Sequence, residues 1–257
     1  MQVLYVDEHN LSALQQQAVP MAVALGYFDG VHLGHREVIR TARQQADAHG
    51  LTCAILSFFP HPKSVLVSGY NVKYLEPIEQ KIEKLEALGV DIFYIVKFTK
   101  ELAALSPIDF LNEYVLGLRA EQIVCGFDYR FGARASGKAQ EIVQYVPSHV
   151  GVKVVPELKW QGNKISSTLI RDFIKSSRVD EIPSILGDYY ITKYCFKNGI
   201  LPNYSMPSDG RYKVLLETDC TVQETIITVK CPKLIDVPWS TSSDEDVLTI
   251  HWLKKIS

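Results

Sequence analysis

Gly26-Tyr27-Phe28-Asp29-Gly30-Val31-His32-Leu33-Gly34-His35 lies between an apolar run and a helical one. The run Met21 to Gly26 reads as a buried strand. His35 to Ala48 reads as a helix with Val38, Ile39, Ala42 and Ala46 on one face and Gly50 just past its end. A glycine-rich turn entering a helix is suited to anions, because the N–H groups of a helix start are unpaired and Gly30 and Gly34 let a phosphate approach the main chain. His32 and His35, three residues apart, lie on one face and could donate hydrogen bonds to a triphosphate. The alternatives are a pair of surface histidines in a tight turn or two ligands of a metal site, although no third ligand is near in sequence. Asp29 is a weaker candidate for the same site, with capping the helix as its other role.

Outward from this stretch, β-rich apolar runs alternate with helical patterns as far as about Leu186. Leu51 to Phe58, Asp91 to Phe98 and Ile123 to Cys125 read as further strands. Pro77 opens a helix with Ile78, Ile82 and Leu85 inward. Ser106 reads as the N-cap ahead of Phe110, Leu111, Tyr114 and Val115, and another helix is expected near Gln140 to Val146. Four strands joined by helices imply a parallel sheet that places ligands at the carboxyl ends of its strands. After Asp188 the pattern becomes short Val/Ile/Tyr/Thr runs, Arg211 to Glu217, Val222 to Lys230 and Val247 to Leu253, which read as a small antiparallel β module; Ser240 to Asp246 reads as a polar, acidic loop.

The bulk numbers exclude several classes. With 257 residues, 47% hydrophobic and 22% charged, the chain is neither disordered nor fibrous. A net charge of −2 offers no electrostatic drive toward nucleic acid or an anionic membrane, so the expected partners are small molecules or proteins, with oligomer formation left open. Cys53, Cys125, Cys195, Cys220 and Cys231 are odd in number and lack a CxxC pairing, which favours reduced, mostly buried thiols over a disulfide framework. The start MQVLYVDEHN has no leader pattern, and the longest apolar stretch, near Ala18 to Phe28, is well short of the roughly 20 residues a membrane span requires. A cytoplasmic setting is expected.

A second segment, Lys164-Ile165-Ser166-Ser167-Thr168-Leu169-Ile170-Arg171, combines hydroxyls at a helix start with a guanidinium one turn in. Both suit phosphate oxygens, although SST before an amphipathic helix is commonly only an N-cap. The pair formed by this segment and His32-Leu33-Gly34-His35 resembles the signatures of the nucleotidyltransferase superfamily. Two more segments follow strand ends: Ser57-Phe58-Phe59-Pro60-His61-Pro62 and Val124-Cys125-Gly126-Phe127-Asp128-Tyr129-Arg130-Phe131-Gly132. In this order, the four motifs resemble the adenylyltransferase module of the bacterial bifunctional riboflavin kinase/FAD synthetase family, over about residues 1 to 186.

The resemblance implies an α/β fold: a Rossmann-like parallel-sheet nucleotidyltransferase domain over residues 1–187, then the antiparallel module over 188–257. It also implies that FMN and magnesium-ATP are the substrates and FAD the product. His32, His35 and Arg171 would be catalytic. Phe28, Asp29, Gly30, Gly34, Asp128, Ser166, Ser167 and Thr168 would hold ATP, and Pro60, His61, Pro62 and Phe131 would line the FMN side. No protein ligand for magnesium can be named. Phe58, Phe59 and Tyr129 are open between the flavin site and plain packing.

The resemblance stops at the family's second domain. Its riboflavin kinase barrel carries a glycine-rich G-x-G-R-x-x-G-x-P-T-A-N segment, where this chain runs from Tyr190 to Pro202 without such a pattern and resumes at Met206-Pro207-Ser208-Asp209-Gly210-Arg211-Tyr212. FAD synthesis without riboflavin phosphorylation is therefore expected. A bifunctional enzyme that keeps the kinase activity, a relative with another acceptor, and a non-catalytic flavin or nucleotide sensor are the alternatives.

Overall fold

In a computed structural model, described over residues 1–70, 72–195, 199–200, 204–218, 221–230, 233–235 and 247–257, the chain divides into two compact units. The first comprises Met1–Val72 and Glu79–Glu157, the second Lys73–Ile78 and Leu158–Ser257.

The first unit is built on six parallel strands: β1 (Gln2–Val6), β2 (Met21–Leu25), β3 (Thr52–Phe59), β4 (Ile92–Lys97), β5 (Ala120–Gly126) and β6 (Gly151–Val155). Their order across the sheet is β1-β4-β3-β2-β5-β6. The four expected strands are the central ones, and β2, with all five side chains buried, is continuously apolar because a parallel sheet is covered on both faces. The two edge strands went unread in the sequence. Gln2–Val6 and Gly151–Val155 are short, and in each only the last residue, Val6 or Val155, is buried, so no periodic burial marks them.

Helix α1 (Leu33–His49) buries Val38, Ile39, Ala42 and Ala46, the expected face, and ends on Gly50 at φ 65°. Helix α2 (Ile78–Ala87) departs from expectation: Leu85 is buried, but Gln80 and Lys81 are buried with it while Ile78 and Ile82 are only half-buried. Ser106 is the N-cap expected, accepting from the Asp109 N–H at 3.2 Å, and Phe110, Leu111, Tyr114 and Val115 are buried behind it. Cys53, Cys125 and Cys195 are free and buried, and burial pushes the Cys53 thiol up to about 11 and the Cys125 thiol up to about 12. Cys220 and Cys231 lie outside the described residues, as does the acidic loop from Ser240 to Asp246.

The second unit carries an antiparallel sheet of β7 (Tyr190–Cys195), β8 (Gly199–Ile200), β9 (Gly210–Glu217), β10 (Val222–Lys230), β11 (Lys233–Ile235) and β12 (Val247–Lys255), in the order β8-β7-β12-β9-β10-β11. Its core is filled by Tyr190, Tyr212, Val214, Leu216, Ile227, Leu248, Ile250 and Trp252, with the Trp252 indole donating to the Thr192 hydroxyl at 3.0 Å. Helix α3 (Ser167–Lys175) belongs to the same unit. Among the described residues no helix is long and apolar enough to cross a membrane.

At φ 69° Gly132 turns the loop after β5, and a Cβ there would stand 2.7 Å from the Pro107 nitrogen. Gly132→Ala is therefore expected to destabilise the protein by about 2 kcal/mol, from the left-handed conformation and the backbone overlap together. Urea unfolding of the two proteins side by side measures it.

Candidate functional site

The loop from Gly26 to His32 leaves β2 where the sheet order reverses, since the chain runs from β2 to β3 on one side and later places β5 on the other. Crevices of this kind, beyond the carboxyl ends of parallel strands, are where α/β sheets bind ligands. Leu25 pairs with Leu56 of β3 and Cys125 of β5, so the loops carrying Pro60–Pro62 and Phe127–Gly132 emerge beside the histidine loop.

The loop itself is tightly wound. Phe28, Gly30 and Val31 have φ of 53°, 84° and 44°, and Phe28 and Val31 are fully buried. The Phe28 ring lies over Gly26, where an added Cβ would meet it at 2.8 Å, and edge-on to His35 at 5.2 Å between centroids. The Tyr27 carbonyl accepts the Ser57 hydroxyl at 2.9 Å and the Lys81 ammonium at 3.2 Å, and Arg36 Nε donates to the Val31 carbonyl at 3.1 Å.

His32, not Asp29, caps the helix. Its Nδ1 accepts the His35 N–H at 3.2 Å, and Asp29 is instead buried within the turn. An accepting Nδ1 leaves the ring hydrogen of the neutral imidazole on Nε2, so the cap selects the tautomer. The two imidazoles stack with centroids 3.6 Å apart and planes 15° apart. His32 is 5% exposed, Gly30 is buried and Gly34 half-buried in the first turn of α1. The helix adds about half a positive charge at this end. Histidine, glycine and helix N-terminus thus converge as the spacing suggested.

Around this centre, the His61 ring meets the Tyr27 ring edge-on at 4.5 Å, and His61 Nδ1 caps the short helix Pro62–Leu66 by accepting the Lys63 N–H at 3.0 Å. Pro60 and Pro62 flank it, half-buried, and Phe59 is exposed. The exposed Asp128 sits over the end of β5, its Oδ1 3.4 Å from where a Gly126 Cβ would be. Phe131 is almost wholly buried, stacked on Tyr129 at 5.8 Å and tilted against Phe110 at 6.1 Å, while Phe58 joins the same cluster through Phe98 and Phe110. Phe58 and Tyr129 thus both pack within one aromatic cluster. Burial drives the Tyr129 phenol upward, keeping it neutral.

Lys81 is the residue the sequence reading missed. It is 6% exposed, donates to the Tyr27 carbonyl and stands 5.0 Å from the Tyr27 ring centroid, so one buried cation steadies the residue that joins the histidine loop to His61. Lysine at a helix position next to glutamine gave no signal, because a lysine there usually points to water.

In the second unit, Ser166 is the N-cap of α3, its Oγ accepting the Leu169 N–H at 3.2 Å. Ser167 is half-buried and Thr168 exposed in the first turn. Arg171 donates through Nε to the Lys73 carbonyl at 3.1 Å and through a terminal nitrogen to the Ser167 carbonyl at 3.2 Å. Among the described residues, no group of three or more His, Cys, Asp or Glu side chains could hold a metal ion.

Known proteins resemble this chain in sequence and in fold. The family model described as FAD synthetase matches residues 14–169. The chain is similar to a bifunctional riboflavin kinase/FMN adenylyltransferase of Bacillus subtilis, 38% identical over 237 residues, covering 86% of this chain and 75% of the relative. A protein of the same description from Listeria monocytogenes is 41% identical over 194 residues, 75% of this chain, which span only 62% of that relative's length. A Listeria monocytogenes FAD synthetase is 30% identical over 197 residues, covering 74% of this chain and 79% of the relative. Among solved structures, the crystal structure of a macrolide-efflux protein from Streptococcus pneumoniae is similar in fold, with a TM-score of 0.87 at 25% identity over 100% of this chain and 91% of that one.

The cap can be separated from the ring. His32→Ala is expected to lose about 1 kcal/mol of stability, whereas His32→Asn, which keeps an acceptor for the His35 N–H, retains most of it. Thermal melts of both variants against the parent decide this.

Proposed function

The chain belongs to the FAD synthetase family, and we propose that it transfers the adenylyl group of ATP to FMN, giving FAD and pyrophosphate, without phosphorylating riboflavin. The observation that carries this reading is the stacked His32–His35 pair on a helix N-terminus at the sheet's switch point.

An oxygen of the FMN phosphate attacks the α-phosphorus of ATP. The bond from that phosphorus to the bridging oxygen of the β-phosphate breaks, and pyrophosphate leaves with that bond's electron pair. No side chain is modified, so acceleration comes from alignment and from stabilising charge on the transferring phosphate. His32, through Nε2–H, and His35 hold the triphosphate beside the helix N-terminus. Gly30 and Gly34 admit it to the main chain, and the buried Phe28 and Asp29 shape the turn that does so. Ser167, Thr168 and Arg171 take the β- and γ-phosphates, with Ser166 fixing the start of their helix. Asp128 takes a place on the nucleotide side. Pro60, His61 and Pro62 offer a flat face to the isoalloxazine, backed by the aromatic cluster of Phe131. Magnesium enters with the ATP phosphates and water, which suits a cation that keeps much of its hydration. The adenylyltransferase portion runs to residue 187, and the substrates and reduced thiols favour a cytoplasmic setting.

The bifunctional relatives favour a second reading, in which riboflavin kinase activity persists. Against it stand the missing glycine-rich segment and a β core filled by Tyr190, Tyr212 and Trp252.

Incubation with magnesium-ATP and either FMN or riboflavin, followed by chromatography of the flavins, is expected to yield FAD from FMN and nothing from riboflavin. FMN formed from riboflavin would restore the bifunctional reading. No product in either tube would leave a flavin or nucleotide sensor. In the same assay His32→Asn and His35→Ala are each expected to lower turnover by about a hundredfold or more.

A further inference from the structure

A path of hydrogen bonds links the antiparallel module to Arg171. Tyr190 is buried in its core on β7, yet its hydroxyl reaches out to donate to the Ser205 carbonyl at 2.5 Å. The Ser205 N–H donates to the Tyr74 carbonyl at 2.9 Å, and the Ser205 hydroxyl donates to the Lys73 carbonyl at 3.4 Å. A parallel bridge between Tyr74 and Tyr204 completes the attachment of these two segments. The Lys73 carbonyl then receives a second donor, Nε of Arg171.

From this continuous path we infer that Tyr190 and Ser205 are positioning residues for Arg171, and that the β module serves the adenylyl transfer by fixing the plane of that guanidinium. The inference rests on the synthetase reading for what Arg171 does, and on contacts within the second unit for how it is held.

Geometry favours orientation over simple attachment. A guanidinium is planar, so two hydrogen bonds to separate carbonyls, Lys73 and Ser167, define where its remaining donors face. The Lys73 carbonyl is itself held in place by the Ser205 hydroxyl, and Ser205 by a tyrosine rooted in the module's core. A second tyrosine secures the other end of α3. The Tyr212 hydroxyl lies 2.7 Å from both the Ser177 hydroxyl and the Ser208 carbonyl, and Ser208 donates to the Lys175 carbonyl in the last turn of the helix. Helix and guanidinium are thus both tied to tyrosines of one sheet.

The test is a double-mutant cycle on the full chain, read as the affinity for magnesium-ATP by calorimetry, with thermal melts alongside. Tyr190→Phe is expected to weaken ATP binding about fivefold, the worth of one well-placed hydrogen bond. Arg171→Ala should weaken it further, and Tyr190→Phe placed on top of Arg171→Ala should add nothing. If Tyr190→Phe melts below the assay temperature, Ser205→Ala, which keeps the N–H bond to Tyr74, gives the same reading. Unchanged affinity in these variants, or an equal loss with and without Arg171, overturns the relay. Formation of FAD by the unaltered protein is scored separately: coupling without FAD keeps the relay and sinks the synthetase reading, and FAD without coupling does the reverse.

Discussion

A turn in which Phe28, Gly30 and Val31 all take left-handed conformations is held open only by its surroundings, since each non-glycine residue there costs on the order of 1–3 kcal/mol. Much of the first unit's packing answers that cost. The Phe28 ring fills the space over Gly26, Ser57 and Lys81 converge on the Tyr27 carbonyl, and Arg36 reaches back to Val31. The return is a loop that delivers two histidines to a helix N-terminus in one fixed arrangement, with the first already committed to its own helix through Nδ1.

The two sets of residues assigned to phosphate are built differently. His32 and His35 are positioned locally, by a turn and the first residues of one helix. Arg171 has one local contact, to the Ser167 carbonyl, and is otherwise positioned by contacts distant in sequence: its Lys73 partner lies 98 residues away, and Ser205 reaches the same carbonyl across 132. A local device tolerates change elsewhere in the chain, whereas a distributed one makes the placement of the side chain depend on segments far away in sequence.

Sequence patterns exposed what depends on periodicity and short range. The central strands, the face of α1 and the capping serines were legible because burial on both sides, a 3.6-residue repeat and side-chain capping each leave local marks. The edge strands were not, since short runs with a single buried position leave no clear periodicity. The stripe Ile78, Ile82, Leu85 was persuasive but incomplete: the helix turns Gln80 and Lys81 inward because the Tyr27 carbonyl and ring offer the ammonium a partner. Asp29 looked like the cap by residue type, but the cap falls three residues later on a histidine. The path from Tyr190 through Ser205 to Lys73 and Arg171 had no sequence signature, because it joins segments with no spacing rule between them.

The composition of the second unit bears on how such chains can be rebuilt. Lys73–Ile78 belongs to it although residues on both sides belong to the first, and α3 is bonded to the β module through Ser177 and Ser208. No single cut yields two self-sufficient cassettes: severing at 157 strands the six-residue strap, and severing at 187 parts a helix from the sheet that braces it. Recombination between relatives, in nature or in the laboratory, would have to exchange the strap, the helix and the sheet together, so the inheritable building block here is defined by hydrogen bonding rather than by contiguous sequence.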